Sequence, residues 1–119
     1  MKNILLLIGI VIISLFAISS QAQEKTKKVE TIEFKVMGVC GMCKDRIENA
    51  ALIKGVKLAE WNKQTQLLKV IYTPSKVTLD DIHNAVAEAG HDTEKQKASD
   101  EVYKKLPKCC AYRDGVESH

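Results

Sequence analysis

Thr31-Ile32-Glu33-Phe34-Lys35-Val36 runs directly into Met37-Gly38-Val39-Cys40-Gly41-Met42-Cys43. In the first half Ile32, Phe34 and Val36 alternate with polar neighbours, the period-2 pattern of a strand with one buried face. Two glycines then interrupt the pattern, and the residues from Met42 to about Ile53 are good helix formers with Ile47, Ala50 and Ala51 spaced for one buried side. A Cys-x-x-Cys pair is thereby delivered to the mouth of a helix. Two thiols at this spacing can close on one soft metal ion, or on each other as a disulfide.

The pattern continues downstream. Gly55 is the natural stop for the first helix. Val56, Ala59 and Trp61 face inward in a second strand, and the shift from even to odd positions marks a bulge. Leu68, Val70 and Tyr72 alternate in a third strand that Pro74 ends. Thr78 and Asp81 make an N-cap with an acidic partner, followed by an apolar stripe of Leu79, Ile82, Val86 and Ala89 up to Gly90. Asp92 to Ala98 is read as a polar edge strand. The order strand–helix–strand–strand–helix–strand predicts an α+β, ferredoxin-like βαββαβ sandwich: a four-stranded antiparallel sheet with two helices on one face, plus a C-terminal Cys109-Cys110 tail.

Residues 1–22 are kept out of that fold. Lys2, the apolar run Ile4–Ile18 and the small-x-small Ser20-Gln21-Ala22 read as a cleavable signal peptide, the run being shorter than the ~20 residues of a membrane span. The expectation is a bacterial protein that is periplasmic or secreted, touching a membrane only if the signal is retained. Residues 23–29 form a charged leader, 30–98 the domain, and 99–119 an extension in which Ser99 to Leu106 is helical, Val102 and Leu106 can dock, and Pro107 ends the helix. With 18 basic and 15 acidic side chains, a formal net charge of +3 and no clustering, the chain shows no footprint for nucleic acid.

Four cysteines in an exported chain suggest disulfides. Here neither pair closes a long loop, and adjacent cysteines bridge only in a strained ring. Metal-ligand pairs fit better, although bridges between the two pairs remain open, as does a purely structural disulfide module. Cys43 falls in the first helical turn, where the helix dipole favours a thiolate, and Lys44 and Arg46 add positive charge; Cys40 lies on a loop that can swing. Two thiolates select Cu(I) first, then Ag(I) and Hg(II), whereas Zn(II) wants four ligands. Cys109 and Cys110 either fold back to complete a three- or four-sulfur site, bind metal or bridge another chain on their own (a metal-bridged dimer included), or form disulfides. A four-thiolate site would bring Zn(II), Cd(II) or a small Cu(I) cluster into play.

Residues Thr31 to Lys97 resemble the heavy-metal-associated domain family, which includes copper chaperones, modules of copper-transporting ATPases and periplasmic mercury-binding proteins. The resemblance is carried by Cys40-x-x-Cys43 after the first strand, Ile47-Glu48 on the helix and Gly55-Val56 opening the second strand. Tyr72-Thr73-Pro74-Ser75-Lys76-Val77 and Ala89-Gly90-His91-Asp92 add to it. The family's Gly-Met order before the cysteines is exchanged here in Met37-Gly38, leaving Met37 or Met42 to pack under the loop. His91 stands where many members carry tyrosine, so it is a candidate third ligand or a neighbour of the ligands. Joined to the signal segment read above, which supplies the expectation of export, the resemblance implies a non-enzymatic carrier of Cu(I), or of Hg(II) as the alternative. It implies handover by ligand exchange to a metal-transporting membrane ATPase, an importer or another copper protein. The rival reading is a thiol–disulfide redox protein using Cys40 and Cys43, which would expect a larger chain and an aromatic residue where Val39 stands. His83 and His119 are read as solvated, and Trp61 and Tyr72 as core.

Overall fold

The structure is a computed structural model that describes residues 28–115; the segment read as a signal peptide, most of the stretch read as a leader, and His119 lie outside them. Three strands, β1 (Glu30–Lys35), β2 (Val56–Trp61) and β3 (Leu67–Tyr72), form an antiparallel sheet in the order β1-β3-β2. Helix α1 (Gly41–Ala51) joins β1 to β2, and α2 (Leu79–Glu88) follows β3. Alternation buries one sheet face: Phe34 and Val36, Ala59 and Trp61, and Leu68, Val70 and Tyr72 join Ile47 and Ala51 of α1 and Ile82 and Val86 of α2 in one core. The anticipated bulge in β2 lies between Val56 and Leu58, which pair with the consecutive residues Tyr72 and Ile71. Thr78 and Asp81 form a reciprocal capping box, each backbone N–H donating to the other's side chain at 3.1 Å.

Two elements differ from expectation. Helix α1 stops at Ala51, and Gly55, with φ +100°, instead supplies the left-handed turn into β2. The fourth strand does not form among the described residues. The chain after α2 reaches the β1 edge, where Met37 N–H donates to Asp92 O and Glu94 N–H to Lys35 O, but only one bridge results, Val36 to Thr93. Side chains then take the amides a ladder would use. Thr93 Oγ1 accepts from Lys95 and Gln96, and Asp92 Oδ1 accepts from Ala98. Short polar side chains that bond nearby backbone compete with strand pairing, and here they win.

Residues 99–115, set apart by composition, pack back onto the domain. Ser99 caps a one-turn helix α3 (Asp100–Tyr103), and two 3₁₀ turns follow, Lys108–Cys110 and Tyr112–Asp114. Leu106, Cys109 and Tyr112 lie against the core and Cys110 is inside it. We predict that Thr78→Ala lowers unfolding free energy by about 1 kcal/mol in urea denaturation, with Thr78→Ser recovering most of it. An unchanged midpoint in Thr78→Ala would show that the box is idle.

Candidate metal centre

Cys40 is the N-cap residue of α1, with extended backbone, and Cys43 lies in the first turn. The loop between β1 and α1 is tied down at Val36, Met37 and Gly38. Trp61 Nε1–H donates to Val36 O at 3.0 Å, Met37 N–H to Asp92 O at 2.8 Å, and Gln66 Nε2 to Gly38 O at 2.8 Å. The fourth bond, 2.8 Å long, joins His91 Nδ1 to Met37 O. These bonds anchor the segment leading to Cys40, which was expected to lie on a loop that can swing. Neither methionine packs under it, for both are exposed. The Trp61 indole fills that place, so close that a Cβ on Gly38 would sit 3.0 Å from its ring and 3.2 Å from Cys43 Cβ. That approach explains the exchanged Met37-Gly38 order.

Three sulfurs converge at the end of this loop. Cys40 Sγ lies 3.4 Å from Cys43 Sγ and 3.4 Å from Cys110 Sγ, and all three fall within 4.8 Å of one another. Cys43 and Cys110 are fully buried and Cys40 nearly so. With metal–sulfur bonds of about 2.3 Å, three sulfurs around one trigonal ion stand about 4 Å apart, so a small outward relaxation would accommodate one. Cys109 does not join the trio. Its Sγ is 4.0 Å from Cys110 Sγ and donates to Met42 Sδ at 3.5 Å.

The protons are unevenly shared. Burial alone would push the Cys40 thiol up, but the Cys43 N–H and the neighbouring thiols outweigh it and bring it down to about 7. Burial pushes Cys43 up, and burial with two adjacent thiols pushes Cys110 far up. The helix mouth thus favours a thiolate at Cys40, whereas Cys43 had been the expected one. Its complete burial overrides the dipole.

Of the two expected charges, Lys44 is engaged elsewhere. Lys44 pairs with Glu48 and donates to Trp61 O at 3.0 Å. Arg46 Nη1 is buried without a hydrogen-bond partner. His91 is fully buried, and burial holds its imidazole below the ordinary value. Because a carbonyl only accepts, Nδ1 carries the proton donated to Met37, and Nε2 is left as a buried lone pair without a partner. His91 stacks on Tyr112 and is not one of the converging ligand set. His83, expected in solvent, is buried instead: Nδ1 meets Thr93 Oγ1 at 2.6 Å, and its ring lies 3.9 Å from that of Phe34. It shares the buried face of α2 with Ile82, Val86 and Ala87, a face wider than the stripe read from the sequence.

A latch missed by the sequence reading holds Cys110 in place. Tyr112 Oη donates to Gly90 O at 2.7 Å and accepts from Asp92 N–H at 2.9 Å. Arg113 grips the Asp92 carboxylate through Nε at 3.2 Å and Nη2 at 2.6 Å, and Nη2 also reaches Ala98 O. Its guanidinium lies over the Tyr103 ring. The available sequence signal was Tyr112-Arg113, an aromatic and an arginine directly after the paired cysteines.

No family model matches the sequence. Over 60 residues, however, the chain is 38% identical to the copper chaperone CopZ of Staphylococcus epidermidis, a match covering 49% of this chain and 88% of the relative. The chain belongs to the heavy-metal-associated domain family. Among solved members, a CopZ metallochaperone is 32% identical with a TM-score of 0.52, covering 54% of this chain and 98% of that one. The N-terminal domain of a potential copper-translocating P-type ATPase from Bacillus subtilis, in its Cu(I)-loaded state, is 31% identical with a TM-score of 0.53, covering 56% and 85%. These matches place the heavy-metal-associated fold on little more than half of the sequence.

Two outcomes follow for the trio and its latch. Cys110→Ala removes a donor to the Cys40 sulfur, so the Cys40 alkylation midpoint, mapped by mass spectrometry against pH, should rise from about 7; an unmoved midpoint would deny the contact. Although burial opposes it, Arg113 holds the Asp92 carboxyl below its ordinary value. The latch therefore stabilises fully above about pH 4 and is lost as pH falls through the depressed folded value. Asp92→Asn should accordingly raise tryptic cleavage after Lys104, Lys105 and Lys108 several-fold at neutral pH. Cleavage equal to wild type would show that the tail is held by other means.

Proposed function

We propose that this protein is an exported carrier of Cu(I), held by the thiolates of Cys40, Cys43 and Cys110 and passed on by ligand exchange. The observation that carries the reading is the convergence of three buried sulfurs, two from the β1–α1 loop and helix and one from the tail. A buried all-sulfur set of three suits a soft monovalent ion that accepts low coordination. It suits Zn(II) poorly, since a fourth ligand is wanted and His91 does not join the set. The similarity to a copper chaperone supports the choice of metal. The similarity to a copper-ATPase domain supports a partner of that class, a metal-transporting ATPase or another copper protein. Export rests on the reading of residues 1–22. The role is carriage, without a catalytic step.

The ion is the cargo, and the chain's residues govern its entry and release. Cys40, already poised near neutrality, is the first thiolate to meet it. Cys43 and Cys110 give up their protons to solvent as their sulfurs bond the metal, so affinity rises with pH. The N-terminus of α1 offsets part of the excess negative charge. For release, a partner's thiolate replaces Cys110 on the ion, which requires the 3₁₀ turn at Lys108–Cys110 to lift.

Anaerobic Cu(I) titration of the reduced protein against a strong chelator tests this. One tight ion is expected, with affinity reduced more than tenfold in Cys40→Ser and Cys43→Ser. In Cys110→Ala it should weaken less, while transfer to an acceptor domain becomes faster. Absence of competitive Cu(I) binding in the wild type would overturn the reading. Hg(II) held in place of Cu(I) under equal competition would replace it with mercury carriage.

A further inference from the structure

Outside the buried trio, two more sulfurs meet at the surface. Cys109 Sγ lies 3.5 Å from Met42 Sδ and 4.0 Å from Cys110 Sγ. Met42 is 53% exposed, and core packing does not account for it. It occupies the first turn of α1, and its thioether faces a residue 67 positions away. Cys109 is partly buried against the core, and its sulfur, although near those of Cys40 and Cys110, is not one of the mutually converging three. We propose that Cys109, Met42 and a shared Cys110 form a second, outer subsite for a soft cation, so that the fully loaded protein carries two Cu(I) ions per chain.

Three features of this corner support the assignment, which rests on the inner site proposed above. Five sulfurs lie in one chain of contacts, from Cys43 through Cys40, Cys110 and Cys109 to Met42. That is more than one low-coordinate ion uses. The outer spacings of 3.5 and 4.0 Å match the separation of about 4 Å expected for sulfurs on a single trigonal ion. A thioether beside a thiol also restricts the metal, because thioether sulfur binds Cu(I) and other soft ions but holds Zn(II) poorly. Cys110 is the hinge of the arrangement, since a thiolate has lone pairs enough to bridge two ions. On filling the outer subsite Cys109 loses its proton to solvent, Met42 has none to lose, and no electron moves. The partly exposed outer ion is the weaker one and exchanges first.

The test is anaerobic Cu(I) titration of the reduced full-length protein against a weak and then a strong chelator, with monomer mass verified by sedimentation at each loading. Wild type should take two equivalents against the weak chelator and keep one against the strong. X-ray absorption should show a copper–copper vector only at two equivalents. Cys109→Ser and Met42→Leu should each lose the second equivalent and that vector while keeping the first ion at wild-type affinity. Met42→Leu changes an exposed position and leaves the trio intact. Saturation at one equivalent in the wild type, two equivalents persisting in both variants, or a copper–copper vector found only in a dimer would each overturn the outer subsite and leave the inner one standing. Loss of the tight ion from wild type would instead be failure of the carrier reading.

Discussion

Asp92 is the joint on which the site depends. Its carbonyl accepts from Met37 in the metal loop, its N–H donates to Tyr112, and its carboxylate receives Arg113 and the Ala98 amide. One residue thereby holds the loop that carries Cys40 and the tail that carries Cys110. The ion pair is mostly shielded, with side-chain exposures of 20% and 17%. It is also a two-pronged, charge-assisted contact, which ranks it above the exposed surface pairs that contribute little. The same bonds that divert residues 92–98 from a fourth strand set the distance between the two cysteine pairs.

Within that frame the centre is a proton-sharing cluster before it is a metal site. Cys40 is easily ionised because its neighbours remain thiols, and they remain thiols because they are buried beside it. A soft cation arriving there exchanges protons for metal–sulfur bonds in a place from which water is nearly excluded. Enclosure favours retention and opposes rapid delivery. On the carrier reading proposed above, a third sulfur supplied by the protein itself would occupy the coordination position that an acceptor takes, so retention and transfer would compete for Cys110.

Much of the frame could be read from residue order. The alternation in β1 and β3, the bulge in β2, the Thr78–Asp81 box and the placement of Cys40 and Cys43 at a helix mouth are local patterns, and local patterns survive into the fold. What was left open or escaped depends on residues far apart in sequence. The fold-back of the tail was one of several readings, and Cys110 alone of the pair realises it, reaching Cys40 across 70 positions; the grip of Arg113 on Asp92, across 21, had no reading at all. His83 is buried by Phe34 and Thr93, neither of which its own helix pattern reveals. The fourth strand failed for the opposite reason, because Asp92 and Thr93 satisfied the backbone locally before the sheet could. A polar stretch rich in such residues supports a turn as well as an edge strand.

Gln66 lies in the left-handed region at φ 60°, the one non-glycine residue there among those described, and its side chain holds Gly38 O. A left-handed conformation costs a side-chain-bearing residue about 1 kcal/mol or more. Glycine would suit the backbone but has no amide to reach the loop, and asparagine, tolerant of this conformation, is one methylene shorter. The β2–β3 hairpin is therefore kept somewhat under tension so that the sulfur-bearing loop can be rigid. Hairpin comfort and loop order are opposed at this one position, and a sequence selected for thermal stability alone would drift toward a softer site.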